Sequence, residues 1–147
     1  LPSEKRTGIV HGDYSLTNVM IGKNDPNVIA ILDWELSTLG DPCADFNYHC
    51  LQYIMNPKLA DKDYCRNQGI PVIDEYVKMY SEKINVDLTE EWDLYSAYNL
   101  FKLAGILQGI LGRVRDGTAA HENAAERASG VRNLSDKAWD LVKKNFL

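Results

Sequence analysis

The sequence predicts an α+β fold: a short β-hairpin carrying a polar loop, followed by a mostly helical bundle. Three observations predict it. Apolar, β-branched runs are confined to residues 8–35, the stretch after Gly40 carries helical patterning, and no repeat, low-complexity tract or linker divides the chain. At 147 residues, 45% apolar and 25% charged, the chain is sized for one domain with a real core.

Gly8-Ile9-Val10 is a first apolar run and ends at His11. Asn18-Val19-Met20-Ile21-Gly22 is a second and Val28-Ile29-Ala30-Ile31-Leu32 a third, joined by the turn-forming cluster Lys23-Asn24-Asp25-Pro26-Asn27. A hairpin therefore begins just after Asn18 and ends at Asp33. One hairpin and one short strand make a marginal sheet, so a partner sheet or domain is expected.

Asp41-Pro42 opens the first helix, with Asp at the N-cap and Pro at the first helical position, and Asn56-Pro57 stops it. Ile73, Val77, Tyr80 and Ile84 form an amphipathic stripe. Thr89 is read as the cap of a long helix with acids in its first turn, Arg113 and Arg115 in its last, and Asp116-Gly117 at its end. This helix is apolar nearly all round, so it is expected to be central, with Gly105, Gly109 and Gly112 admitting neighbouring backbones. A further helix is expected over 119–129, stopped by Gly130. A last one is capped by Ser135, with Trp139, Val142 and Phe146 on one side. Trp92 and Trp139 read as core, and His49 and His121 as structural or surface residues.

Sixteen Lys and Arg against 21 Asp and Glu leave a net charge of -5, no footprint for nucleic acid. Segment 94–114 is interrupted by Asn99, Lys102, Gln108 and Arg113, so a membrane span is not expected. No basic region leads into an apolar stretch at residues 1–6, so no signal peptide is expected. Cys43, Cys50 and Cys65 are odd in number and lack metal-ligand spacing, which favours a reduced, cytoplasmic setting. The oligomeric state is not legible.

The chemistry-bearing stretch is His11-Gly12-Asp13-Tyr14-Ser15-Leu16-Thr17-Asn18, followed by Asp33 in Ile31-Leu32-Asp33-Trp34-Glu35. Phosphoryl transfer to an alcohol needs a carboxylate beside the acceptor hydroxyl and hard oxygen ligands for magnesium. The kinase loop H-R-D-x-x-x-x-N meets that need, with a second Asp on a later loop. Here Asp13 and Asn18 stand at the same offset, and the hairpin returns Asp33 to the end from which Asn18 departs. His-Gly-Asp alone is a weak signal; the offset, the hairpin and the returning Asp together are strong. The plainer readings are loop and turn residues for Asp13 and Asn18, a strand-end turn for Asp33, an N-cap for Asp41, a solvated carboxylate for Glu35, and dipole complementation for Asp45. A metallophosphoesterase would need a D-x-H before the Gly-Asp pair and a G-N-H after it; neither occurs.

The chain resembles the C-lobe of the aminoglycoside phosphotransferase and choline kinase-like family. The resemblance rests on Ile9-Val10-His11-Gly12-Asp13, on Ile31-Leu32-Asp33-Trp34-Glu35-Leu36-Ser37-Thr38-Leu39-Gly40-Asp41-Pro42 and on Ala44-Asp45-Phe46. Phe101-Lys102-Leu103-Ala104-Gly105-Ile106-Leu107-Gln108-Gly109 and Asp116-Gly117-Thr118-Ala119 are similar to the branch fused to acyl-CoA dehydrogenases. The resemblance implies a kinase-like C-lobe fold with Asp13 as catalytic base, Asn18 and Asp33 as magnesium ligands, and His11 and Asp45 supporting the catalytic loop. Ser15 departs from relatives that carry Arg there.

It also implies an ATP- and Mg2+-dependent transfer of the γ-phosphate to a hydroxyl of a small metabolite, with a hydroxyacyl-CoA or hydroxy acid as the acceptor class. The other reading is a non-catalytic kinase-like module that binds a ligand or partner. No Gly-rich phosphate loop, strand Lys or paired helix Glu occurs in the chain. Residues 1–147 are accordingly expected to be the C-terminal lobe of a longer protein whose N-terminal nucleotide-binding lobe precedes Leu1, and to bind nucleotide poorly alone.

Overall fold

The computed structural model describes residues 6–119 and 123–147, with Arg127 and Phe146 as backbone only. It is a mixed α/β structure, mostly helical, organised as two compact units, Leu1–Trp92 and Asp93–Leu147.

In the first unit, β1 (Gly8–Val10), β2 (Val19–Ile21), β3 (Val28–Ile31) and β4 (Thr38–Gly40) form two separate two-stranded antiparallel sheets. The expected hairpin is β2–β3: Val19 pairs with Ile31 and Met20 with Ala30, and a bulge follows at Met20/Ile21. The partner of β1 is β4, a strand the sequence reading did not assign; Gly8 faces Gly40 and Val10 faces Thr38. Three residues bounded by a turn and a Gly-Asp-Pro carry too little alternation to be read as a strand.

The helix after Gly40 is tightened at Leu51, whose N–H reaches back to the Tyr48 carbonyl at 3.1 Å. It is therefore two segments, α1 (Cys43–Cys50) and α2 (Gln52–Met55). Asp41 caps it as expected, accepting from the Cys43 N–H at 2.9 Å, although regular helix begins one residue later than predicted. Asp41 also pairs with Arg6 at 3.0 Å, and Arg6 bonds Glu91 as well. Beside this pair, burial and then the Asp41 carboxylate push the Cys43 thiol up to about 12. The three cysteines are free and buried. Cys43, Phe46, Asn47, Cys50 and Leu51 form the buried stripe at helical spacing.

Asn56 ends α2 and caps α3 (Pro57–Ala60), and Asp61 caps α4 (Lys62–Asn67); both short helices went unassigned from sequence. α5 (Ile73–Ile84) carries the expected stripe and ends at Asn85 in the left-handed conformation. Its Tyr80 ring stacks on Phe46 at 3.8 Å, with Tyr76 edge-on at 5.2 Å and Trp92 tilted at 5.8 Å. Those rings are the aromatic core that fixes α1 in place.

The second unit holds most of α6 (Trp92–Arg115), with α7 (Ala124–Ala128) and α8 (Val131–Phe146). Several expectations are corrected here. Thr89 does not cap α6; its side chain and its N–H both bond Asp87. The fully buried residues of α6 lie between Tyr95 and Ala104, Tyr98 and Phe101 in the same stretch are exposed, and from Gly105 on every residue is exposed or half-buried, so the helix is not buried all round. Gly105 and Gly112 face open space and admit no neighbouring backbone. α6 is about 36 Å long and α8, whose Asn145 bonds Asp93, about 24 Å, so α8 is too short to cover all of it.

Thr118 and Ala119 lie outside any helix, and His121 falls outside the described residues, as does the Phe146 side chain. Ser135 is inside α8, bonding back to the Val131 carbonyl at 3.0 Å, and is not its cap. Trp139, read as core, is 54% exposed: the buried positions are Leu134 and Ala138, and the next residue is turned about 100° away. Among the described residues no helix is long and apolar enough to cross a membrane.

Candidate active site

The loop between β1 and β2 is held by side chains from three elements. His11 is buried, and both ring nitrogens are committed. Nδ1 accepts from the Asp13 N–H at 3.2 Å, which leaves Nε2–H to donate to the Leu32 carbonyl at 2.7 Å. The ring also packs against Trp34, centroids 4.7 Å apart, and the Trp34 indole donates to the Ile31 carbonyl. His11 thus joins the loop to the end of β3.

Asp45 holds the same loop from α1. Its carboxylate accepts the backbone N–H of His11 through Oδ2 and that of Gly12 through Oδ1, the latter at 2.9 Å. Charge-assisted bonds to two successive amides fix the backbone direction just before Asp13. Gly12 takes φ +87°, and a Cβ there would stand 2.5 Å from the Leu36 carbonyl oxygen. The close approach of these two chain segments needs glycine.

Asn18 lies in a 3-10 turn (Leu16–Asn18) and donates through Nδ2 to the Asp13 carbonyl at 2.9 Å and to Asp13 Oδ2 at 3.1 Å. Its backbone carbonyl accepts from Leu32 N–H at 2.8 Å, extending the hairpin by one rung. Asn18 and Asp33 therefore sit at the same end of β2–β3, as the sequence reading expected. Asp33 is exposed in the left-handed conformation, φ 65° and ψ 56°, and opens the 3-10 turn Trp34–Leu36 without capping it. Glu35 is solvent-exposed in that turn.

Tyr48, on α1, was not singled out from sequence. Its hydroxyl bonds the Asp13 carboxylate; burial, then the Asp13 charge and that bond, push the phenol up to about 12. The signal that could have found it is its place three residues after Asp45, on the same helix face. His49, the next residue, is lowered by burial; its Nε2 meets the Tyr76 hydroxyl at 3.2 Å and its ring stands 5.7 Å from that of Tyr14.

The donor set suits a hard cation. Asn18 spends its amide hydrogens on Asp13, which leaves its carbonyl oxygen available, and the Asp33 carboxylate has no hydrogen bond or ion pair among the described residues. Oxygen ligands of this kind fit magnesium.

Residues 1–98 match the family model described as the phosphotransferase enzyme family. Among curated proteins, the chain is 37% identical over 149 residues to acyl-CoA dehydrogenase family member 10 of Mus musculus, covering 98% of this chain and 14% of that protein. It is 31% identical over 148 residues to acyl-CoA dehydrogenase family member 11 of Homo sapiens, covering 98% and 19%. The chain thus spans less than a fifth of these relatives. A crystal structure of a candidate aminoglycoside phosphotransferase from Ralstonia eutropha JMP134 superposes with a TM-score of 0.86 at 40% identity, covering 96% of this chain and 44% of that one. With the family model spanning two thirds of the sequence and the loop built as described, this chain belongs to the phosphotransferase enzyme family.

Proposed function

We propose that the chain is the C-terminal lobe of a small-molecule kinase that moves the γ-phosphate of ATP to an alcohol. The observation that carries this reading is the Asp13–Asn18 pair at the hairpin end to which Asp33 returns. Asp13 orients the acceptor hydroxyl and takes its proton as the oxygen attacks the γ-phosphorus and the bond from that phosphorus to the bridging oxygen breaks, releasing ADP. Asn18, through Oδ1, and Asp33 are the residues that would hold magnesium, which when bound would supply positive charge beside the phosphates. His11 and Asp45 keep Asp13 in position and do not touch substrate.

The nucleotide-binding half lies in an N-terminal lobe outside these residues. That part of the reading is supported by the 44% share of the solved relative that the chain covers, and by the lack of a Gly-rich phosphate loop in its sequence. A hydroxyacyl-CoA or hydroxy acid is the acceptor class, on the similarity to acyl-CoA dehydrogenase family members. The test is transfer of label from γ-labelled ATP to a panel of hydroxyacyl-CoAs and hydroxy acids by the full-length protein with magnesium. Asp13→Asn is expected to lower kcat by about 10²–10⁴-fold, the range of a positioned base. Turnover retained in that variant removes Asp13 from the role.

A further inference from the structure

Asp45 and Tyr48 lie one turn apart on α1, so one face of this helix addresses two successive parts of the loop. Asp45 fixes the backbone at His11 and Gly12. Tyr48 reaches the next residue, at its carboxylate. From the 3-10 turn before β2, Asn18 Nδ2 bonds Asp13 Oδ2 at 3.1 Å. A carboxylate rotates freely about its terminal torsion unless partners hold it. Asn18 alone fixes one oxygen, and a second donor from another element fixes the plane.

We infer that Tyr48 is a positioning residue: its hydroxyl, delivered by the same helix face as Asp45, sets the carboxylate plane of Asp13 so that a lone pair is aimed at the acceptor. The inference rests on the phosphotransferase reading above and adds to it a residue that acts only through Asp13. A donor in this place must keep its proton. The phenol does so across the working range, because burial and the adjacent negative charge both oppose its ionisation. Phe46, buried two residues earlier and stacked on Tyr80, anchors the helix that carries it.

The experiment compares the full-length wild type, Tyr48→Phe, Asp13→Asn and the double variant. Phenylalanine keeps the ring and removes only the hydroxyl. Tyr48→Phe is expected to lower kcat about tenfold, the scale of one charge-assisted hydrogen bond, with KM for the nucleotide unchanged. In the Asp13→Asn background the same substitution is expected to cost less than about twofold, because the group it serves is gone. Unchanged kcat in Tyr48→Phe, or a full tenfold loss repeated on Asp13→Asn, overturns the role. Thermal unfolding keeps this separate from the underlying reading. Strictly additive Tm losses for the two substitutions overturn the Tyr48–Asp13 contact itself, whereas a wild type that transfers no phosphoryl group overturns the reaction.

Discussion

Gly12 carries the tightest constraint in the loop. With φ +87° and the Leu36 carbonyl 2.5 Å from where a Cβ would stand, both the backbone and its neighbour exclude a side chain. Gly12→Ala is expected to destabilise the fold by about 2 kcal/mol or more in urea unfolding, beyond the intrinsic left-handed penalty. A variant as stable as wild type would mean that Leu36 is not so close. His49 contributes a pH dependence. Burial lowers its pKa, so the unfolded chain takes up the proton first. The stability it contributes is complete above its ordinary value of 6.5 and is lost as pH falls through the folded pKa. Tm should therefore drop more steeply on acidification for wild type than for His49→Gln; parallel curves would assign the dependence to other groups.

Among the elements, α1 and the hairpin divide the work of building the site. The hairpin sets Asn18 and Asp33 by register, which is local and follows from strand lengths and the turn between them. The helix sets the loop by side chains that reach it from more than 30 residues away in sequence. α6 behaves differently from both. Its apolar composition predicts a fully buried helix, yet a Cβ at Gly105 meets nothing within 4 Å. Gly105→Ala should raise stability by about 0.5–1 kcal/mol, the ordinary helix-propensity gain. A loss on chemical denaturation would show that this face is covered after all.

For the molecule as a whole, the first unit leaves Ile9, Ile21, Val28, Ile29 and Leu39 more than half exposed along its two small sheets. Two-stranded sheets with uncovered apolar side chains are marginal alone, which agrees with a chain spanning 44% of its solved relative. If the nucleotide site is completed by a further lobe, the isolated chain should bind magnesium-ATP at least about 100-fold more weakly than the full-length protein, an effect of about 2.8 kcal/mol by calorimetry. Equal affinities would place the nucleotide site within these residues.

Sequence alone determined what depends on neighbours along the chain. The β2–β3 hairpin, the return of Asp33 beside Asn18, the α5 stripe and the end of α6 at Gly117 all follow from short-range pattern and turn chemistry. The support from Asp45 was legible through family resemblance, because its partners are backbone amides that carry no side-chain signature. Only the tertiary structure decided that β4 pairs with β1, that Trp139 faces outward, that α6 is not buried all round, and that Tyr48 meets Asp13. The reason is physical: hydrophobicity says that a face prefers cover, whereas which face is covered, and which hydroxyl meets which carboxylate, depends on the packing of elements distant in sequence.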